Sequence, residues 1–90
     1  MSHSLEILRK RLLFRSWHRG TREVDLLLGP FAETHLAALS PVQLERYEAL
    51  LQENDGNLYD WITGRTAPPP DKDNDVLRLV MGHRFKPQSA

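Results

Sequence analysis

Leu5, Leu8 and Leu12 recur at intervals of three and four, the spacing that stacks side chains on one helical face. With Leu13 and Phe14 widening the stripe, the pattern predicts a first helix over residues 4–18. Gly20 stops it, in the position where a left-handed residue commonly closes a helix. Thr21 is the expected cap of a second helix carrying Val24, Leu27, Leu28 and Phe31 inward. Gly29-Pro30 interrupts that helix: proline lacks the backbone donor and crowds the preceding turn, so a kink or break is predicted near Leu28. Helix then resumes over residues 31–39, with Leu36 and Leu39 buried.

Ser40-Pro41-Val42-Gln43 is the clearest local signal, an N-cap, a proline at the first helical position and a glutamine placed to close a capping box. The helix it opens puts Leu44, Tyr47, Leu50 and Leu51 on one face. Asn54-Asp55-Gly56-Asn57 predicts a turn into a fourth helix with Leu58, Trp61 and Ile62 at helical spacing. A hairpin at Asp55-Gly56 is the alternative, but its flanks do not alternate. Tyr47 and Leu58 are expected in the core, Trp61 only partly covered. Ala67-Pro68-Pro69-Pro70 reads as an extended connector, and Asp73 or Asn74 starts a last helix burying Val76, Leu77, Val80 and Met81. The whole predicts an all-α fold, a small bundle of about five helices. Residues 1–84 form one helical domain and residues 85–90 a flexible tail.

The 90 residues carry 12 basic and 12 acidic side chains, a formal charge of zero, and no cysteine. Thiolate chemistry, disulfides and cysteine-based metal sites are therefore excluded. Charge is uneven along the chain. Residues 1–23 hold six basic and two acidic side chains, whereas residues 24–63 hold one basic and seven acidic. No apolar run exceeds four residues, which excludes a membrane span. The basic N-terminus includes Glu6 and lacks an apolar core, so it is not a secretory signal. A presequence built on Arg9, Lys10, Arg11 and Arg15 is weighed, and the stretch is read as mature protein.

Candidate chemistry is sparse. The four histidines are scattered singly, without the paired spacing of a metal-binding helix. Asp71, Asp73 and Asp75 mimic the opening of a calcium loop, but Val76 and Gly82 occupy the places that need Gly and Glu. No nucleophile elbow or glycine-rich phosphate cradle is present, so no catalytic residue, metal ligand or bound cofactor is expected. Arg9, Lys10, Arg11, Arg15, Arg19 and Arg22, interleaved with Phe14 and Trp17, give the footprint of a nucleic-acid-binding helix. The acidic middle would repel phosphates, and pairing of this helix with Glu45 to Glu53 inside the molecule competes with that reading. A generic adaptor using Glu45, Glu48 and Glu53 is a third.

The most informative segment is Arg19-Gly20-Thr21-Arg22-Glu23, at a predicted helix junction where Gly20 allows close backbone approach. Arg19 and Glu23 either pair across the turn or present a bidentate cation and a carboxylate to a partner. Arg19-Gly20-x-x-Glu23 resembles the Arg-Gly-x-x-Glu signature of the small flavinylation factors of succinate dehydrogenase. Arg22-Glu23-Val24-Asp25, Pro30-Phe31, Leu39-Ser40 and Asp55-x-x-Leu58-Tyr59-x-Trp61 resemble that family's further motifs in order and spacing. The resemblance runs from about Phe14 to Ile62.

It implies a non-enzymatic assembly chaperone that promotes covalent attachment of FAD to the flavoprotein subunit of succinate dehydrogenase, and of fumarate reductase. The flavin and the histidine that bonds to it belong to the partner, so this chain binds no cofactor and acts on the partner's FAD. The implied partner-binding residues are Arg19, Gly20, Arg22, Glu23, Asp25, Pro30, Phe31 and Asp55. The expected chain is monomeric, without nucleic-acid or membrane partners, and works in the bacterial cytoplasm or, in a eukaryote, the mitochondrial matrix.

Overall fold

A computed structural model describes residues 2–83, and the side chains of residues 4–83; the tail expected from residue 85 lies outside the described residues. Five α-helices follow one another: α1 (Ser2–Trp17), α2 (Arg22–His35), α3 (Pro41–Leu50), α4 (Asp55–Thr63) and α5 (Asp75–His83). A single 3-10 turn, Leu36–Ala38, links α2 to α3, and no strand occurs among the described residues. Helix α2 is the centre of the bundle, contacting α1, α4 and α5, while α3 packs on α1 and α5.

The predicted caps are largely present. Ser40 Oγ accepts from the Gln43 backbone at 3.2 Å and Gln43 Oε1 accepts from the Ser40 backbone at 3.0 Å, completing the capping box with Pro41 in the first turn. Asn54 caps α4 through Asn57, and Asn74 caps α5 through Leu77. Gly64, at φ +84°, closes α4 in the left-handed conformation.

Three expectations are corrected. The break at Gly29-Pro30 does not occur: α2 runs unbroken through Pro30. Leu28, Phe31 and Ala32 around it are buried, and Gly29 lies under the Trp17 ring, where a Cβ would come within 2.3 Å of it. Tertiary packing on both sides offsets the missing backbone donor. Phe14 does not widen the buried stripe; it is 62% exposed. Two residues advance a helix by about 200°, so Phe14 faces away from Leu12. Trp61 is 6% exposed, more deeply covered than predicted.

The core gathers Leu12, Val24, Leu28, Phe31, Leu44, Tyr47, Leu58, Ile62, Val76 and Val80 from all five helices. Tyr47 is enclosed, and its hydroxyl meets Ser16 Oγ at 2.5 Å, while Ser16 also donates to the Leu12 carbonyl at 2.8 Å. Burial pushes the Tyr47 phenol up to about 12, against a weaker opposing effect of the Ser16 hydrogen bond. A raised folded value on an acid means that the unfolded chain releases this proton first as pH rises. The contribution of Tyr47 to stability is therefore undiminished below pH 10 and declines between about pH 10 and 12. Denaturation against pH should show that decline, and Tyr47→Phe should remove Tyr47's share of it; an unchanged alkaline profile in the variant would contradict the assignment.

Candidate functional site

The junction between α1 and α2 is held from behind by Arg19. Its Nε donates to Asp55 Oδ1 at 3.0 Å, Nη1 to the Leu51 carbonyl at 2.5 Å and Nη2 to the Glu53 carbonyl at 2.6 Å. The Leu51 carbonyl caps α3, where the helix dipole is negative, the Glu53 carbonyl lies in the turn that follows, and Asp55 opens α4. The Arg19 side chain is only 13% exposed, and its planar fork spans three acceptors that a lysine would not reach together. Glu53 is in turn paired with Lys72 at 2.5 Å, a hydrogen bond that holds the ammonium above its usual range.

The chain around Gly20 follows from these anchors. Gly20 takes φ +112°, as predicted for the residue that closes the first helix. The Arg19 backbone N–H donates to Asp25 Oδ1 at 2.7 Å. Thr21 occupies the N-cap position of α2 but makes no side-chain capping bond, a correction to the sequence expectation. Its hydroxyl is diverted to Asp55 Oδ2 at 3.3 Å. The alternative of an Arg19–Glu23 pair is likewise replaced, since Arg19 bonds Asp55 instead.

Arg22 and Glu23 are exposed in the first turn of α2, where the helix dipole favours the carboxylate. Each borders a shallow groove. On one side lies an anionic groove of about 430 Å³ between Glu23, Asp55, Tyr59 and Asp60. On the other, Trp17, His18, Arg22 and Leu26 line a second groove. Phe14 stacks on His18 at 4.0 Å, and Phe14 and Leu26 remain more than half exposed.

The eight residues implied as partner-binding thus separate into groups. Gly20, Arg22 and Glu23 are at the surface, while Arg19, Asp25 and Asp55 are half-buried and bonded to one another around the turn. Pro30 is half-buried in mid-helix. Phe31 is corrected: it is fully enclosed, stacked on His35 at 4.6 Å and tilted against Tyr47 at 5.5 Å, and so serves the core. The sequence places Phe14 in the apolar stripe and, with Trp17, in the nucleic-acid footprint, and does not single out Leu26; Phe14 and Leu26 are exposed beside the junction and Trp17 is half-buried there. For Phe14, its angle from Leu12 was the available signal.

Part of the basic segment is committed inward. Arg9 donates to the Leu36 and Leu39 carbonyls at 2.9 and 3.0 Å, Arg15 pairs with Glu48 at 3.8 Å, and Arg19 with Asp55. Half of the six cations that suggested nucleic-acid binding therefore neutralise the molecule's own acceptors. The same pairings occupy Glu48 and, through Lys72, Glu53, two of the three acids of the adaptor reading.

Comparison with known proteins points the same way as the junction. Residues 10–84 match the family model described as flavinator of succinate dehydrogenase. A Dictyostelium discoideum protein named succinate dehydrogenase assembly factor 2, mitochondrial, is 42% identical over 79 residues, covering 88% of this chain and 56% of that protein. A Candida glabrata protein of the same name is 38% identical over 84 residues, covering 89% and 55%. An Acetobacter pasteurianus protein named FAD assembly factor SdhE is 39% identical over 73 residues, covering 81% and 67%. The chain spans a little over half the length of the two mitochondrial relatives. The match takes in the junction, the turn that anchors it and all the helices between, so the chain belongs to the family of succinate dehydrogenase flavinators.

Proposed function

We propose that this chain promotes covalent attachment of FAD to the flavoprotein subunit of succinate dehydrogenase, and of fumarate reductase, as a non-catalytic assembly factor. The observation that carries the reading is the junction itself. Arg22 and Glu23 project from a turn braced by Arg19, with no described residue paired to either of them. A cation and a carboxylate carried on a braced turn beside open grooves suit recognition of a folded partner, since the backbone that presents them is already ordered.

On this reading the chain supplies binding and orientation while the flavin, the histidine that bonds to it and the redox chemistry are the partner's. Gly20 lets the partner's backbone approach the turn. Glu23 and Arg22 address polar groups on the flavoprotein, and Phe14 and Leu26 give apolar contact beside them. Bound in this way, the flavoprotein is held in the conformation that flavinylates itself. The site of action is the bacterial cytoplasm or, if the chain is eukaryotic, the mitochondrial matrix. No helix among the described residues is long and apolar enough to cross a membrane.

The test is expression of the flavoprotein subunit with and without this chain, followed by denaturation and flavin fluorescence of the separated subunit. The chain should raise the covalent flavin signal severalfold. Equal signals with and without it would contradict the proposal.

A further inference from the structure

One carboxylate holds both neighbours of Gly20. Asp55 Oδ1 accepts from Arg19 Nε at 3.0 Å and Oδ2 accepts from Thr21 Oγ1 at 3.3 Å. Gly20 is exposed, at φ +112°, and a Cβ built on it would meet nothing within 4 Å, so packing does not fix the backbone there. Glycine rotates at little steric cost, and such turns open readily when their hydrogen bonds go. Thr21 adds a second dependence. Its hydroxyl serves Asp55 instead of capping α2, so the first turn of α2 has no side-chain cap of its own.

We propose that Asp55 is a positioning residue. From the start of α4 it latches the α1–α2 turn through Arg19 and Thr21, and so fixes where Glu23 stands, without touching the flavoprotein itself. This rests on the reading of Glu23 given above. The latch joins residues 34 and 36 positions apart in sequence, so the turn before α4 governs a surface on α2. Apparent affinity for a partner scales with the fraction of molecules in the competent conformation. Loosening the latch therefore raises the amount of chain required and leaves the attainable flavinylation unchanged.

Asp55→Asn keeps the size but replaces one acceptor oxygen with an amide N–H₂ that faces either the guanidinium or the hydroxyl. Thr21→Val removes one arm of the latch, and Thr21→Ser keeps the hydroxyl. In the free chain, Asp55→Asn should speed amide exchange at Arg19 and Asp25, whose N–H groups are hydrogen-bonded across the turn, on the order of tenfold to a hundredfold, the equivalent of losing one charge-assisted hydrogen bond. Exchange in the middle of α3 and α5 should not change.

In titrations of the flavoprotein, the chain concentration for half-maximal flavinylation should rise about tenfold with the plateau kept, as the competent fraction falls. Thr21→Val should shift it in the same direction, and Thr21→Ser should behave as wild type. A lower plateau with unaltered exchange at Arg19 and Asp25 would overturn the proposal and make Asp55 a contact residue. Faster exchange throughout the chain would overturn it in favour of general destabilisation, and so would loosening confined to the turn that leaves the titration unmoved. Full flavinylation by Glu23→Gln would contradict the preceding reading, and is told apart because the exchange measurement needs no partner.

Discussion

Trp61→Ala lowers the stability of this protein by about 3–5 kcal/mol, the usual cost of removing a buried indole. Trp61 is 6% exposed and belongs to the same core as Leu58, Ile62, Val76 and Val80. Domains hold roughly 0.05–0.15 kcal/mol per residue, so 90 residues carry about 5–13 kcal/mol in all. The substitution therefore removes between about a quarter and all of the total, and where that total is at its low end it unfolds the chain. Urea denaturation measures it directly. A loss below about 1 kcal/mol would mean that the site collapses around the missing ring, against the spread seen for large-to-small core changes. A variant that melts like wild type yet fails to support flavinylation would place Trp61 at the partner interface instead.

Gly29→Ala has the next largest effect, and it tests a contact between helices. Trp17 lies across Gly29 so closely that an added Cβ would meet three ring atoms between 2.3 and 2.5 Å. Trp17 Nε1 also donates to Glu33 Oε2 at 2.9 Å, which holds the indole in place. The methyl forces the ring outward and breaks that hydrogen bond. Overpacking costs about 1–3 kcal/mol, offset by up to ~1 kcal/mol from the better helix propensity of alanine. The net should be destabilising, with a shift of the Trp17 indole N–H resonance. Because Trp17 lines the groove beside Arg22, flavinylation should weaken as well. An unmoved indole resonance and an unchanged melting temperature would contradict the packing described.

Most of the fold was legible because most of it is locally encoded. The Ser40-to-Gln43 box, the Asn54 and Asn74 caps and the apolar spacing of Leu44, Tyr47 and Leu50 depend on residues within one or two turns of one another. What local pattern does not carry is the identity of a distant partner. Pro30 predicts a break by its own chemistry, and only the packing of Trp17 on Gly29 and the burial of Phe31 and Ala32 in the core override it. Thr21 has the composition of a cap, and only the arrival of Asp55 from α4 diverts its hydroxyl. Trp61 is expected to be only partly covered because the interior of so short a chain is small; helices α2 and α5 both pack on its helix and bury it.

The junction was legible as a motif but not as a mechanism. Arg19 and Glu23 lie four apart and invite a local pair, yet Arg19 turns inward to acceptors 32 to 36 positions away. That choice separates the roles of the two residues. Arg19 braces the turn, and Glu23 is left facing outward. Phe31, adjacent to Pro30 in the resembling motif, is likewise an internal residue whose spacing reflects core packing.

The central claim is that the exposed carboxylate of Glu23 carries the interaction with the flavoprotein. Glu23→Gln preserves size and removes the charge, and at an exposed position it should cost at most about 1 kcal/mol of stability. The decisive measurement is flavin fluorescence of the denatured flavoprotein subunit after co-expression with this variant or with the unaltered chain. The account predicts wild-type melting of the variant together with a covalent flavin signal reduced close to that of the flavoprotein expressed alone. A signal equal to that given by the unaltered chain would contradict it.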